Sequence, residues 1–234
     1  MPFLYSTMKF LLSVGTCVSF LPALNLIFKR KRHFECFIAF MQLLAAVMFT
    51  STQTLGVGFL LTSNDWHMIS DITTSTYICL LCIHLLGLRS AEAMILLRYV
   101  AFGCSWIAKL ADGWGSMAFE AVVYLVFLLP ALALMMQGLL TGPLVPLCPS
   151  PPPLVVRNFL DRKLNYDRHV AGLAVSSGAA GLACFFLAEF IFDNDKISRR
   201  VVLALSHCAF GAGSYYLWQF LPCYDRSEDI PVFR

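Results

Sequence analysis

Charge is what this chain has least of. Asp, Glu, Lys and Arg make up 13% of its 234 residues and hydrophobic residues 59%, where an ordinary soluble domain carries roughly 25% charged residues. So few charges cannot cover a water-facing surface of this size, which excludes a soluble globular domain. The net charge of +3 excludes an extended basic surface for nucleic acid. Long polar stretches are also lacking, so a soluble second domain is not expected. A secreted disulfide framework is missing too. Of the nine cysteines, Cys17, Cys79, Cys82, Cys104, Cys184 and Cys208 lie inside apolar runs, where cysteine acts as a small hydrophobe. Cys79 and Cys82 have C-x-x-C spacing, but no second pair or histidine cluster accompanies them, so they read as packing residues. The first apolar run lacks an A-x-A-like cleavage site and is followed by "KRKR" (Lys29–Arg32). That is a stop-transfer pattern rather than a signal peptide.

What is there is a series of apolar runs, at 8–28, 36–61, 72–88, 91–108, 116–140, 170–192 and 201–221. Each approaches the ~20 residues that cross ~30 Å of hydrocarbon at ~1.5 Å per residue. The expected fold is therefore an all-α membrane protein, a seven-transmembrane helix bundle. Seven crossings put the termini on opposite sides. With the N-terminus outside, eleven Lys and Arg residues fall on inner segments and five on outer ones, and basic residues accumulate on the cytoplasmic side. N-terminus outside and C-terminus inside is the orientation this predicts. Residues 1–222 then form one membrane domain. A Pro-rich inner loop occupies 141–169, with "VVRNFLDRKL" as a candidate interfacial helix, and 223–234 is a short cytoplasmic tail. Gly172, Ser176, Ser177, Gly178 and Gly181 give the sixth run the small residues of a close helix contact, and leave a homo-oligomer as an option.

Polar side chains inside apolar runs are costly unless paired, and they often mark function. Counting depth along each run places Thr50, Ser51, Glu189, Asp193 and His207 in one outer tier, with Asp71, Thr74 and Ser75 at the start of the third run. Glu189 and Asp193 are the candidate partners of His207. A second tier, nearer the inner side, holds His84, Glu92 and Arg98. There the simplest reading is a snorkelling Arg98, or an Arg98–Glu92 pair, with His84 bonded to a backbone carbonyl. "HFE" (His33–Glu35) reads as a solvated junction and "DGWG" (Asp112–Gly115) as a tight outer turn. Cys36 and Cys223 sit near the inner boundary, where reversible palmitoylation is an alternative to a free thiol.

Three stretches carry a resemblance: "FLPALNLIFKRKRHFECFIAF", "DGWG" and "FFLAEFIFDNDKISRRVVLALSHCAF". Together they resemble the myomaker and post-GPI-attachment phospholipase branch of the seven-pass CREST superfamily, over nearly the whole chain in order. The resemblance implies a zinc site in the outer half of the bundle. It would be built from a histidine at the end of span two and an H-x-x-x-H pair in span seven, assisted by an acid and a serine. Metal-bound water would attack an amide or ester of a lipid. Laid on this chain, His207 matches the second histidine of the pair. The first falls at Leu203 and the span-two histidine near Phe49 or Thr50, none of which ligates zinc.

One of three ligands is too few for that chemistry. The expectation is a non-enzymatic, myomaker-like protein of membrane remodelling or cell–cell fusion, with membrane lipids as partners and no nucleic acid. The plasma membrane is the expected location, with the Golgi or endoplasmic reticulum as alternatives. A zinc-dependent lipid hydrolase with an altered metal site around His207, and a lipid-binding structural protein, are the competing readings. No resident cofactor is expected on the first reading and zinc on the second.

Overall fold

The computed structural model describes residues 2–56, 58, 60–85, 91–112, 168–191 and 196–221, and among these the chain is helical. Helix α1 spans Pro2–Cys17 and α2 spans Leu21–Lys29, with a 3-10 turn between them. Then come α3 (His33–Leu55), α4 (Ser63–Leu85), α5 (Ala91–Asp112), α6 (Arg168–Phe186) and α7 (Lys196–Phe220). A single π turn, Leu187–Ile191, extends α6. Five described stretches are long and apolar enough to cross a membrane: Phe10–Lys29, His33–Leu55, Ser63–Leu85, Glu92–Ala111 and His169–Phe186. Helix α7 is long enough, but Ser206, His207, Ser214, Tyr215 and Tyr216 dilute its hydropathy. The run at 116–140, the Pro-rich loop, the "VVRNFLDRKL" segment, most of "DGWG" and the tail 223–234 lie outside the described residues.

The helix boundaries follow local chemistry. Pro22 sits at the start of α2, where a missing N–H is harmless, and it marks the break from α1. Helix α2 ends in a Schellman motif. The Arg32 N–H bonds Ile27 O at 3.3 Å and the Lys31 N–H bonds Phe28 O at 2.9 Å. Lys31 takes the left-handed position, with φ 57°, that glycine usually fills. Gly56, at φ 67°, closes α3 through its N–H to Thr52 O. Helix α4 begins nine residues before the apolar run at 72 that announces it, in the polar stretch "SNDWHMISD". A capping box sets that start. The Thr62 N–H donates to Asp65 Oδ2 at 3.1 Å, and the Asp65 N–H reaches back to Thr62 Oγ1 at 3.3 Å, satisfying donors the helix leaves free.

The chain divides into two compact units, residues 1–77 with 169–219, and residues 78–168 with 220–234. In the first, α6 and α7 pack antiparallel. Ser206 Oγ donates to Gly181 O at 2.8 Å, and a Cβ built on Gly213 would lie 3.4 Å from the Gly178 amide nitrogen. The small residues of the sixth run thus bring the two helices into close contact. The α1–α2 segment lies along α7 in parallel. Ser19 Oγ bonds His207 O at 3.3 Å, and Arg30 bonds Trp218 O, with an offset of 188 residues in both. Helix α4 is buried over most of its length. Within its "TTST" core the buried Thr73 and Thr76 hydroxyls bond the carbonyls of Ile69 and Ile72 at 2.7 Å, which satisfies both in an apolar setting. In the second unit, Cys79 and Ile83 of α4 cluster with Met94 and Ala101 of α5, with Leu97 packed against them. Cys79 and Cys82 are buried free thiols, a packing role.

Candidate functional site

The residues of the outer tier are held mostly by their own helices. Thr50 and Ser51 lie in the last turns of α3, half-buried, and Ser51 Oγ donates to Val47 O at 2.7 Å. His207 sits mid-way along α7 and is exposed. Its ring Nδ1 is 2.7 Å from Leu203 O, one turn earlier. The ring nitrogen can donate there, which fixes the tautomer and leaves Nε2 as the free acceptor. Among the described residues no hydrogen bond joins His207 to Thr50 or Ser51. Glu189 belongs to the π turn, but its side chain lies outside the described residues, as does Asp193 entirely. Metal ligation by His207 with those two acids is therefore outside what the structure describes. Among the described residues no group of three potential metal ligands forms.

In the inner tier His84 is buried on α4, and Glu92 is exposed in the first turn of α5. Arg98 places Nη2 3.2 Å from Met94 Sδ. Cys36 is half-buried in the first turn of α3. Glu35 corrects the sequence reading of "HFE". His33 is exposed, but Glu35 is fully buried. The free N–H groups of the first helical turn favour an acid there, and the helix face, not the polarity of the tripeptide, decides which residue turns inward.

Two constellations emerge that the sequence does not announce. The first is a buried polar cluster joining α4 to α7. Trp218 Nε1–H donates to Tyr77 Oη at 2.7 Å, and the Tyr77 and Ser214 hydroxyls share a further hydrogen bond. All three residues are buried. Arg30, from the turn after α2, caps the C-terminus of α7, donating Nη1 to Trp218 O and Nη2 to Gln219 O at 3.0 Å. The Arg32 guanidinium lies 5.4 Å from the Trp218 ring centroid, within cation–π range. Two positive charges at the carbonyl end of a helix also complement its dipole. The arginines of the "KRKR" stretch thus clip the α1–α2 segment to the end of α7. Sequence reasoning missed this because partners 188 residues apart share no local pattern.

The second constellation is smaller. His67 Nδ1 lies 3.2 Å from Asp71 Oδ2, one turn along α4. The His67 ring stands edge-on to Phe49 of α3 with centroids 4.8 Å apart. The H-x-x-x-D spacing was available as a signal, since residues four apart share a helix face. The late apolar start assigned to the third run left His67 outside it.

No curated protein matches this sequence. The family model described as a protein of unknown function, DUF3522, matches residues 5–208, from the first turn of α1 to the middle of α7, and the chain therefore belongs to the DUF3522 family.

Proposed function

We propose that this is a seven-span membrane protein of the myomaker branch of the CREST superfamily, N-terminus outside, acting without catalysis in membrane remodelling or cell–cell fusion at the plasma membrane. The observation that carries the reading is the clip between the α1–α2 segment and α7. Its parallel register supports seven crossings by parity. The connections α2–α3, α3–α4, α4–α5 and α6–α7 have at most seven residues, about 25 Å when extended. That is short of the ~30 Å hydrocarbon core, so each helix must return the way its predecessor came. If α7 runs with α2, then α6 runs with α3 and α5. One further crossing is owed between Asp112 and Arg168, and the apolar run 116–140 is able to supply it. The cytoplasmic side is the one holding the "KRKR" turn.

A scaffold role is supported by how the polar groups of α7 are used. Ser206 is spent on Gly181 and Ser214 on Tyr77. These are bonds that fix helices. The fusion role rests on the family resemblance, and a cell-mixing assay tests it. Cells expressing the chain, mixed with dye-loaded cells expressing it, should exchange cytoplasmic contents above background, and the purified protein should hold well under one zinc per chain. Absence of content mixing would refute the fusion role.

A zinc-dependent lipid hydrolase is the second reading, and one observation favours it. The His67–Asp71 pair stands against Phe49, at the place where the resemblance puts a span-two histidine, so an imidazole from the neighbouring helix reaches that level. Stoichiometric zinc, lost in His67→Ala and accompanied by turnover of a lipid ester or amide, would establish this reading over the first.

A further inference from the structure

The turn after α2 sorts four consecutive basic residues onto two sides. Arg30 and Arg32 turn to α7, while Lys29 and Lys31 are exposed. Helices α2 and α3 flank an open groove of about 630 Å³, lined by Leu21, Leu24, Phe28, Phe37 and Phe40, with His33 at the turn end. Its aromatic walls are uncovered: Phe28 is 64% exposed, Phe37 57% and Phe40 51%. The volume lies in the roughly 300–1,000 Å³ range of small-molecule sites. From Leu21 to Phe28 the groove runs about 10 Å along the helix, from an apolar end to the turn that carries the lysines.

We propose that this groove binds one anionic phospholipid of the cytoplasmic leaflet, with an acyl chain along the α2–α3 walls and the phosphate at Lys29, Lys31 and His33. Two observations converge on an anionic occupant. The groove, apolar but for Asn25 and Cys36, runs to His33 in the turn that bears the exposed Lys29 and Lys31; a lipid carries its negative charge at one end, and juxtamembrane lysines attract anionic headgroups. Lys31 also holds the left-handed conformation at φ 57°, which crowds the Cβ of any residue but glycine. Glycine would fit that backbone better. A lysine kept at a strained turn beside the groove mouth fits a demand for its charge. The two arginines do not compete for the headgroup, because they are engaged on α7. The inference rests on the membrane-spanning reading of α2 and α3 and on the cytoplasmic position of the turn, not on fusion activity.

Native mass spectrometry of the full chain in mild detergent tests it, with phosphatidylserine and phosphatidylcholine offered in equal amounts. One phosphatidylserine should be retained in preference to phosphatidylcholine. The preference should fall roughly fivefold per lysine removed, on the order of 25-fold in K29Q/K31Q, and be retained in K29R/K31R. Leu24→Trp, which fills the groove, should reduce retention of both lipids. A melting temperature unchanged by K29Q/K31Q separates lost binding from lost folding. Should that variant unfold, raising salt on the unmodified chain gives the same comparison and should erode the preference. Equal retention of the two lipids, a preference unaffected by K29Q/K31Q and by salt, or a second copy of the chain in place of the lipid would overturn the proposal.

Discussion

The same substitution, Gly→Ala, should have opposite effects at different helical glycines of this protein. A Cβ on Gly211 would lie 2.8 Å from the Ser19 carbonyl oxygen and 2.8 Å from Ser19 Cβ. Backbone cannot swing aside as a side-chain tip can, so the α1–α2 segment must move away from α7. The Ser19–His207 bond and the Arg30 cap lie along the same line of contact and would be stretched with it. Overpacking of this kind costs about 1–3 kcal/mol. At Gly181 the new Cβ would meet the Phe210 ring at 2.8–2.9 Å, a partner with more freedom, and the loss should be nearer the lower bound. At Gly172 and Gly178 no such atom lies within 4 Å. Alanine there should be neutral or stabilise by about 0.5–1 kcal/mol, through the smaller entropy it loses on entering a helix. The assay is the folded fraction of purified protein against rising dodecyl sulfate, followed by circular dichroism. Ser19→Gly combined with Gly211→Ala should recover part of the loss. If all four alanine variants shift in one direction, or if Gly211→Ala is silent, the close approach of the first and last segments is refuted.

Tyr77→Phe leaves the Ser214 hydroxyl and the Trp218 indole N–H without their shared partner and should cost about 1–3 kcal/mol. In a double-mutant cycle with Ser214→Ala the two losses should be less than additive, and additive losses would dissolve the cluster. Thr62→Ala should destabilise by about 1 kcal/mol through loss of the α4 cap, with Thr62→Ser retaining most of it, again read by dodecyl sulfate titration. Equal losses in the two would remove the hydroxyl from the explanation. Epitope tags at the two ends should be reached from opposite faces of intact cells, the N-terminal one from outside. Both tags on one face would break the parity argument, and a cytosolic N-terminus would break the positive-inside one.

How much was legible beforehand differs from residue to residue. Six of the apolar runs mark where the described helices lie, though the run at 8–28 does not show the break between α1 and α2; the cost of exposing backbone in hydrocarbon leaves helices as the way for a single run to cross. The boundaries were less legible. The α4 start was hidden in "LLTSNDWH", whose capping box speaks through hydrogen bonds rather than hydropathy. The outer polar tier was legible as a level in the membrane, and the side chain of Glu189 and all of Asp193 lie outside the described residues. Depth counting grouped Thr50, Ser51, Glu189, Asp193 and His207 by height, but height does not say which way a side chain points. Ser51 and His207 bond their own helices, and His67 and Asp71, four residues apart, form a pair that depth counting did not single out.

Composition and periodicity alone determined that this chain is helical and built for a membrane, since those properties follow from the solvent each segment must meet. They also determined that the small residues of the sixth run would permit close contact. Only the tertiary structure decided what fills that contact and what closes the first compact unit. Arg30 caps the last helix, Arg32 covers Trp218, Gly211 admits Ser19, and Tyr77 joins Ser214 to Trp218. Each of these joins residues far apart in the chain, and a local pattern carries no information about which distant helix will lie alongside it. The turn that turned two arginines inward left two lysines outward beside the α2–α3 groove. That division depends on one left-handed backbone angle at Lys31, which the string "KRKR" does not specify.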